Sequence, residues 1–567
     1  MRLLLIVSLV IISFSVNGQE IRKENLTKKK LFYYGGGTFN VESEGYYYKD
    51  PLGETTLRHG KWRFFNKEGD LLEERTYYKN DLHGPTIVYH LNGVKATEGY
   101  FERGVQDSIY IERYPNDSIK QKGFYTEGKP SGTWKYYYRD GRLKMVEEII
   151  DQESFVWEFY QPDSLHTQTV TEGDGYLSIF YTNGNLKEEY FYENGKKHGP
   201  FKEGSVYGYY LLRGNFKENK RDGKWEYFYY TGDLEKISHY QDGQLHGDFK
   251  HYYDNGELRV EGNYKEGQKD GYWKWYTNSG VTDMEGHFKK GEQHGDWKYY
   301  FPDGKLSYSA SFKEGDRHGE WEYFYKDGSK FKIGNFEDDK KNGLWETWYE
   351  SGKLLMTGNY KDDLEEGEWK NFWENGQLKN KSTFTQGKLD GEWLSFYPSG
   401  KPKLTGAYDM EMKTGEWKNY FDNGKLKDVE NYKVITTKSK IKYGPMKGRK
   451  KRKSVKHGEF ISYSSKDYRR TQEGTFKNGE KHGEWIAYHP GGKLPAVITT
   501  YKKGELHGPM RTYSFRGNRL LQEVNYKDGL QDGKVTIYNK RGEVIKVEEY
   551  EKGLKKVEGT SFTPPGR

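Results

Sequence analysis

The sequence predicts an all-β protein: an elongated single-layer antiparallel sheet, solenoid-like, of about 19–20 stacked β-hairpin repeats of 24–25 residues. Three observations predict it. A Gly-x-Trp pattern recurs at a nearly constant step; aromatic residues reach 17%, with Tyr 52 and Trp 15, while apolar residues total only 33%; and Gly 69 supplies tight turns. Aromatics at that level exclude a solvated disordered chain, and their pairing with abundant glycine favours strands over large helical bundles.

In chain order, Met1-Arg2, the apolar run Leu3 to Val16 and the small residues before Gln19 follow the layout of a secretory signal. The run has 14 residues, short of the ~20 that a spanning helix needs. Residues 1–18 are therefore read as a cleaved signal peptide, the alternative being an uncleaved anchor. That reading exports the chain to the periplasm, the outer surface or the extracellular space. No Cys follows the run and no second apolar stretch exists, so a lipidated N-terminus and a transmembrane segment in the mature chain are not expected.

The repeat comes next. Gly175 and every 24th residue after it to Gly415 mark one register. Gly60, Gly84, Ser108 and Gly132 keep the same step, while Gly458, Gly483, Gly508 and Gly533 step by 25. Two gaps of 43, Gly132 to Gly175 and Gly415 to Gly458, interrupt it. The organisation is then signal 1–18, N-terminal repeats 36–132, an irregular insertion 133–174, a regular array 175–432, a basic insert loop 433–457, C-terminal repeats 458–555 and a tail 556–567.

With the marker glycine as position 1, Trp occupies position 3 in eleven repeats, from Trp62 to Trp485. Aromatics usually fill position 7, Asn-Gly or Asp-Gly fills 9 and 10 (Asn255-Gly256, Asp303-Gly304), Leu fills 12, and Tyr or Phe fills 18. A two-residue hairpin loop at 9 and 10 pairs 7 with 12, 5 with 14 and 3 with 16. Position 16 is small in nine consecutive repeats, from Gly214 to Gly406, with Glu430 as the departure that follows. An indole lying across a facing glycine suits that register. Two strands cannot bury such a face alone, so the hairpins must stack, extending on the order of 180 Å at ~4.8 Å per strand.

Position 6 points to the face opposite the tryptophans and is also aromatic: Phe228, Tyr252, Tyr276, Tyr300, Phe324, Trp348, Phe372, Phe396 and Tyr420. Either Lys and Glu stems cover this row, or it is a binding surface. Nine of the 15 histidines precede the marker glycine (His59, His83, His198, His246, His294, His318, His457, His482, His507), a place taken elsewhere by Asp222, Asp270, Asn342 and Asp390. Copies about 9 to 10 Å apart are too distant to share a zinc, so they read as turn residues bonded to backbone.

Cys 0 removes disulfides, thiolate metal sites and cysteine nucleophiles. No nucleophile elbow, zinc-protease motif or phosphate loop occurs. No cofactor, metal or enzymatic activity is expected, unless a pocket forms at Trp157 to Asp174 or in the basic insert. Net charge is +7, yet 11 Lys or Arg without an acid lie between Lys433 and Lys456, so the rest is mildly acidic. The basic patch Arg449, Lys450, Lys451, Arg452 and Lys453 suits an anionic envelope surface or an acidic partner. The bland alternative is a solvated mobile loop. Nucleic acid is not expected of an exported chain.

The string Gly262-Asn263-Tyr264-Lys265-Glu266-Gly267 to Gly271-Tyr272-Trp273 resembles MORN repeats, and more closely the bacterial variant in proteins labelled YwqK-family toxin–antitoxin antitoxins. The resemblance covers roughly residues 36 to 555. It implies a sheet of hairpins serving scaffolding, protein interaction or membrane-surface association. The Gly-x-Trp-x-Tyr-Phe string is also similar to cell-wall-binding modules, which run at a shorter period and lack the His-Gly junction. The expectation is a non-catalytic scaffold for unidentified protein partners, the alternative a carbohydrate or cell-wall polymer array with position 6 rings stacked on sugars.

Overall fold

The computed structural model describes residues 21–36, 39–438 and 450–556. The signal reading of residues 1–18, Arg449 of the basic patch and the tail beyond Lys556 lie outside the described residues. Among the described residues, 44 strands belong to one antiparallel sheet, and no helix is long and apolar enough to cross a membrane. The chain divides into two compact units, Met1–Gln268 and Lys269–Arg567. Within each, strands pair with their neighbours in sequence. In the first, Tyr210–Lys217 lies between Lys196–Gly204 and Lys220–Phe228. In the second, Leu354–Lys361 lies between Lys340–Trp348 and Leu364–Phe372.

The predicted pairings of 3 with 16 and 5 with 14 are present, as in Trp345 with Gly358 and Thr347 with Met356. The pairing of 7 with 12 is not. Position 6 faces 12 instead (Trp348 with Leu354), and position 7 opens a three-residue loop. Tyr229 N–H donates to Asp233 C=O while Gly232 N–H donates to Tyr229 C=O, each at 2.9 Å. Only Gly232 of that loop has positive φ, 93°. This is a type I turn closed by a glycine bulge, so the Asn or Asp at 9 is not left-handed. Its side chain accepts from the N–H of position 11, as Asp303 does from Lys305 at 3.1 Å. The 25-residue repeats place their extra residue here: His489 N–H reaches Leu494 C=O, one position further.

The two-residue turn with both φ positive lies at positions 20 and 21, joining one repeat to the next, as in Asp242 (50°) and Gly243 (85°). Its 21 N–H donates to the position 23 carbonyl of the preceding repeat, Gly243 to Arg221 at 3.0 Å and Asp363 to Lys341 at 3.0 Å. Successive turns are thereby bonded along one edge.

The indole seat also differs from the expected one. Eight of the position 3 tryptophans lie over the position 16 glycine of the preceding repeat. A Cβ on Gly45, Gly123 or Gly214 in the first unit, or on Gly286, Gly334, Gly358, Gly406 or Gly474 in the second, would come closer than 3.0 Å to Trp62, Trp134, Trp225, Trp297, Trp345, Trp369, Trp417 or Trp485 respectively. The marker glycine sits in a bulge opposite position 17 of the previous repeat, so that carbonyl loses its ladder partner. The indole N–H supplies one: Trp225 to Asn215 C=O, Trp297 to His287 C=O and Trp369 to Asn359 C=O, all at 3.1 Å. Position 18 rings pack edge-on, as Phe288 does on Trp297 at 5.0 Å, and a cation at position 23 covers the remaining face, Lys413 over Trp417 at 4.1 Å and Arg221 over Trp225 at 4.4 Å. Trp225 is 0% exposed and Trp417 1%, although the described strands around them belong to one sheet. Each indole buries about 200 Å², on the order of 5 kcal/mol of transfer free energy.

The two 43-residue gaps have different causes. The first holds a shortened extra hairpin, Glu153–Tyr160 with Gln168–Thr171, whose Val156, Phe159 and Val170 join Leu177 and Tyr192 in a hydrophobic core. In the second, the described flanks of the basic insert are strands: Leu426–Lys438 pairs with Lys450–Tyr463 through Ile435–Lys453 and Thr437–Lys451, and residues 439–449 lie outside the described residues. The run Val434, Ile435, Thr436, Thr437 overrides the like-charge repulsion that suggested disorder.

Gly358→Val should overpack the seat of Trp369 and lower stability by about 1–3 kcal/mol. A lowered urea midpoint with red-shifted tryptophan emission is the expected readout, and an unchanged midpoint contradicts the seat.

Candidate functional site

The position 6 rings lie where parity puts them, on the face opposite the indoles. In the first unit Phe228 and Tyr252, and in the second Tyr276, Tyr300, Phe324, Trp348, Phe372, Phe396 and Tyr420, are all half-buried. Each ends the first strand of its hairpin beside the position 12 residue, Leu258 beside Tyr252 and Leu426 beside Tyr420. Their carbonyls accept hydrogen bonds from the position 7 ring of the preceding repeat. Tyr229 Oη donates to Tyr252 C=O at 2.8 Å, Tyr349 Oη to Phe372 C=O at 2.9 Å, and Trp373 Nε1 to Phe396 C=O at 3.2 Å. Position 7 therefore does not share the tryptophan face. It bonds one repeat to the next at the loop edge.

Beside the rings runs a row of ion pairs between positions 4 and 15. In the first unit Arg63 meets Glu74 and Lys202 meets Glu189, each at 2.8 Å, while Arg213 bonds Glu226 and lies 5.1 Å over Phe228. In the second, Glu285 accepts from Tyr272 and Tyr300, each at 2.6 Å, and faces Lys274 at 3.5 Å. Burial opposes ionisation of Glu285, but the two hydroxyls and the ammonium outweigh it and hold the carboxyl below its ordinary range. Burial, then the bond to Glu285, pushes the Tyr300 phenol up to about 12. Arg and Lys stems lie on part of the aromatic row, Lys274 5.2 Å over Tyr276.

Four of the nine junction histidines bind turn backbone, whereas Nδ1 of His294 and of His318 has no hydrogen-bond partner among the described residues. His59, His83, His457 and His507 accept through Nδ1 from the position 20 N–H of the following turn, at 3.3, 3.4, 3.2 and 3.4 Å. Asp390 does the same for Met410 N–H at 3.3 Å. Among the described residues no group of three His, Asp or Glu could hold a metal. Lys450, Lys451, Arg452 and Lys453 are exposed on the basic ribbon. Arg452 pairs with Asp409, and Ser454 Oγ donates to Lys413 C=O at 2.7 Å, fastening the ribbon to the adjacent hairpin. Within Trp157 to Asp174, Phe159 and Val170 are buried at 1% and 0% exposure, while Leu165 is 85% exposed.

Sequence reasoning missed a second surface. The loops around Val206, Tyr207, Tyr209 and Tyr230 expose aromatic residues where other repeats carry Asp, Asn or Glu. The composition of positions 8 to 11 read against the repeat consensus would have found it.

Ten segments match the MORN repeat variant family, at residues 58–80, 174–196, 221–242, 245–266, 293–314, 317–338, 341–362, 365–386, 389–409 and 413–433. These segments are MORN-variant repeats. No curated protein matches the chain. Among solved structures, it is similar to the crystal structure of TcdB2-TccC3 at 10% identity and a TM-score of 0.11, over 92% of this chain and 31% of that one. It is similar to the Photorhabdus luminescens Tc holotoxin pore at 12% identity and a TM-score of 0.12, over 92% of this chain and 29% of that one. It thus spans less than a third of either, and at such scores neither likeness bears on function.

His59 is 0% exposed; burial, then the charge of Lys79, lowers its pKa below the ordinary 6.5. The fold therefore favours the neutral ring, whose Nδ1 can accept. Its contribution is complete above about pH 6.5 and is lost as pH falls through the lowered value. Melting temperature measured between about pH 8 and pH 5 should fall less steeply in His59→Asn than in the unmodified chain, and parallel curves contradict the assignment.

Proposed function

We propose that this chain of MORN-variant repeats is an exported, non-catalytic scaffold that binds protein partners on its extended β surface. The observation that carries this reading is the recurrence of half-buried rings on one face, flanked by paired charges and held by backbone-directed bonds on both sides. Such a surface offers aromatic contact area at little ordering cost, and its polar rim is already satisfied. The titratable groups are distributed by repeat position and not gathered in one cleft, which supports a binding role over catalysis. The exposed ribbon at Lys450 to Lys453 adds a place where an anionic surface or acidic partner is attracted.

The same rings favour a second reading, a carbohydrate or wall-polymer array, because a periodic row of half-exposed aromatics also suits stacking on sugars. Phe324→Ala combined with Trp348→Ala should reduce capture of a protein partner from envelope fractions by about tenfold or more, with no change on a glycan array. Loss of glycan binding in that variant would replace the first reading with the second.

A further inference from the structure

The position 6 row is broken at two places in the first unit, by Arg113 in the repeat beginning at Ser108 and by a glycine further on. The repeat beginning at Gly199 has Gly204 there, and a Cβ on it would meet the Leu186 carbonyl closer than 3.0 Å, so no ring can be accommodated. Around this notch the loop edge changes character. Phe180 is 51% exposed, Tyr207 77% and Tyr230 81%, with Val206, Tyr209 and Tyr210 between 43% and 51%.

These residues belong to three successive hairpins whose loops touch. Asn183 and Asn185 Nδ2 donate to Val206 C=O at 2.7 and 2.8 Å, and Tyr209 lies against Gly232, where a Cβ would stand 2.9 Å from its ring. The patch is therefore built on bonded loops. The hydroxyls of Tyr207, Tyr209, Tyr210 and Tyr230 have no protein acceptor among the described residues. Nearby, Glu226 pairs with both Arg213 and Lys224.

We infer that this tyrosine edge binds an extended, proline-rich segment of a partner protein in the polyproline II conformation. Successive hairpins are two strands apart, about 9.4–9.8 Å. A polyproline II helix repeats every three residues at 3.1 Å rise, about 9.3 Å. A chain laid across the loops thus presents the same side to each hairpin in turn. Exposed aromatic walls receive proline rings, and unpartnered phenol hydroxyls donate to the solvated carbonyls of that helix. The charges beside the patch are of both signs and paired, Glu226 between Arg213 and Lys224, so neither an anion nor a polybasic chain meets a surface of one sign there. The inference rests on the protein-interaction reading but uses a different surface, so the two fail separately: a scaffold binding only through its position 6 rings would capture partners and ignore this ligand.

The test is fluorescence anisotropy of a labelled decaproline peptide titrated with the full chain. Saturable binding is expected, weakened about tenfold or more in Tyr207→Ala combined with Tyr230→Ala. Both side chains are exposed, so circular dichroism and melting should be unchanged. Leu91→Asn, at an exposed loop position of another hairpin, should leave the affinity as it was. No binding up to about 1 mM, binding insensitive to the tyrosine substitutions, or binding at these tyrosines of a chito-oligosaccharide but not of the peptide would each overturn the inference.

Discussion

The fold depends on one contact, an indole laid over a glycine of the repeat before it. A single-layer sheet has no opposing layer against which to bury large aromatics, and Trp225 is nonetheless fully buried. The seat solves that problem locally. Missing side chains at Gly214 or Gly358 let the ring lie flat on backbone, a neighbouring ring closes one flank, and a cation at position 23 closes the top. Because the seat and the ring belong to different repeats, burial of the aromatic is also cohesion of the array.

Three hydrogen-bonded ladders act with it. The indole N–H reaches the carbonyl that the marker bulge leaves free, the position 7 ring reaches the next position 6 carbonyl, and the tight turns bond each other by their own amides. One is central and two are marginal, so each hairpin is fixed at its middle and both ends. A face held this way can present rings to a partner without rearranging, which lowers the ordering cost of binding.

Most of the fold was legible because period-2 parity and a 24-residue recurrence are strong signals, and because Trp and Gly at 3 and 16 covary within the chain. What parity alone could not give was the direction in which the ring leans. The regular array is ambiguous, having a small residue on both sides of nearly every tryptophan. The irregular repeats resolve it: Trp62 and Trp417 tolerate Arg75 and Glu430 as partners in their own hairpins, but the residues after those bulky ones are Thr86 and Phe460. The loop type was misjudged because Asn-Gly fits two turn geometries, and the true two-residue turn is often written with residues such as Met410-Glu411 that carry no turn signature. The tyrosine edge was hidden because it breaks a pattern at positions that look like ordinary loop variation.

The three-residue loop tolerates an added residue, as the repeats around His489 and Ser514 show, and the strand pairing comes back into frame beyond it: Trp485 still faces Thr499 and Met510 still faces Val524. Alignment is thus renewed at every junction and not inherited by counting from one terminus. A local slip of spacing is quarantined in the hairpin where it occurs, which lets an assembly of this kind vary in length without accumulating error.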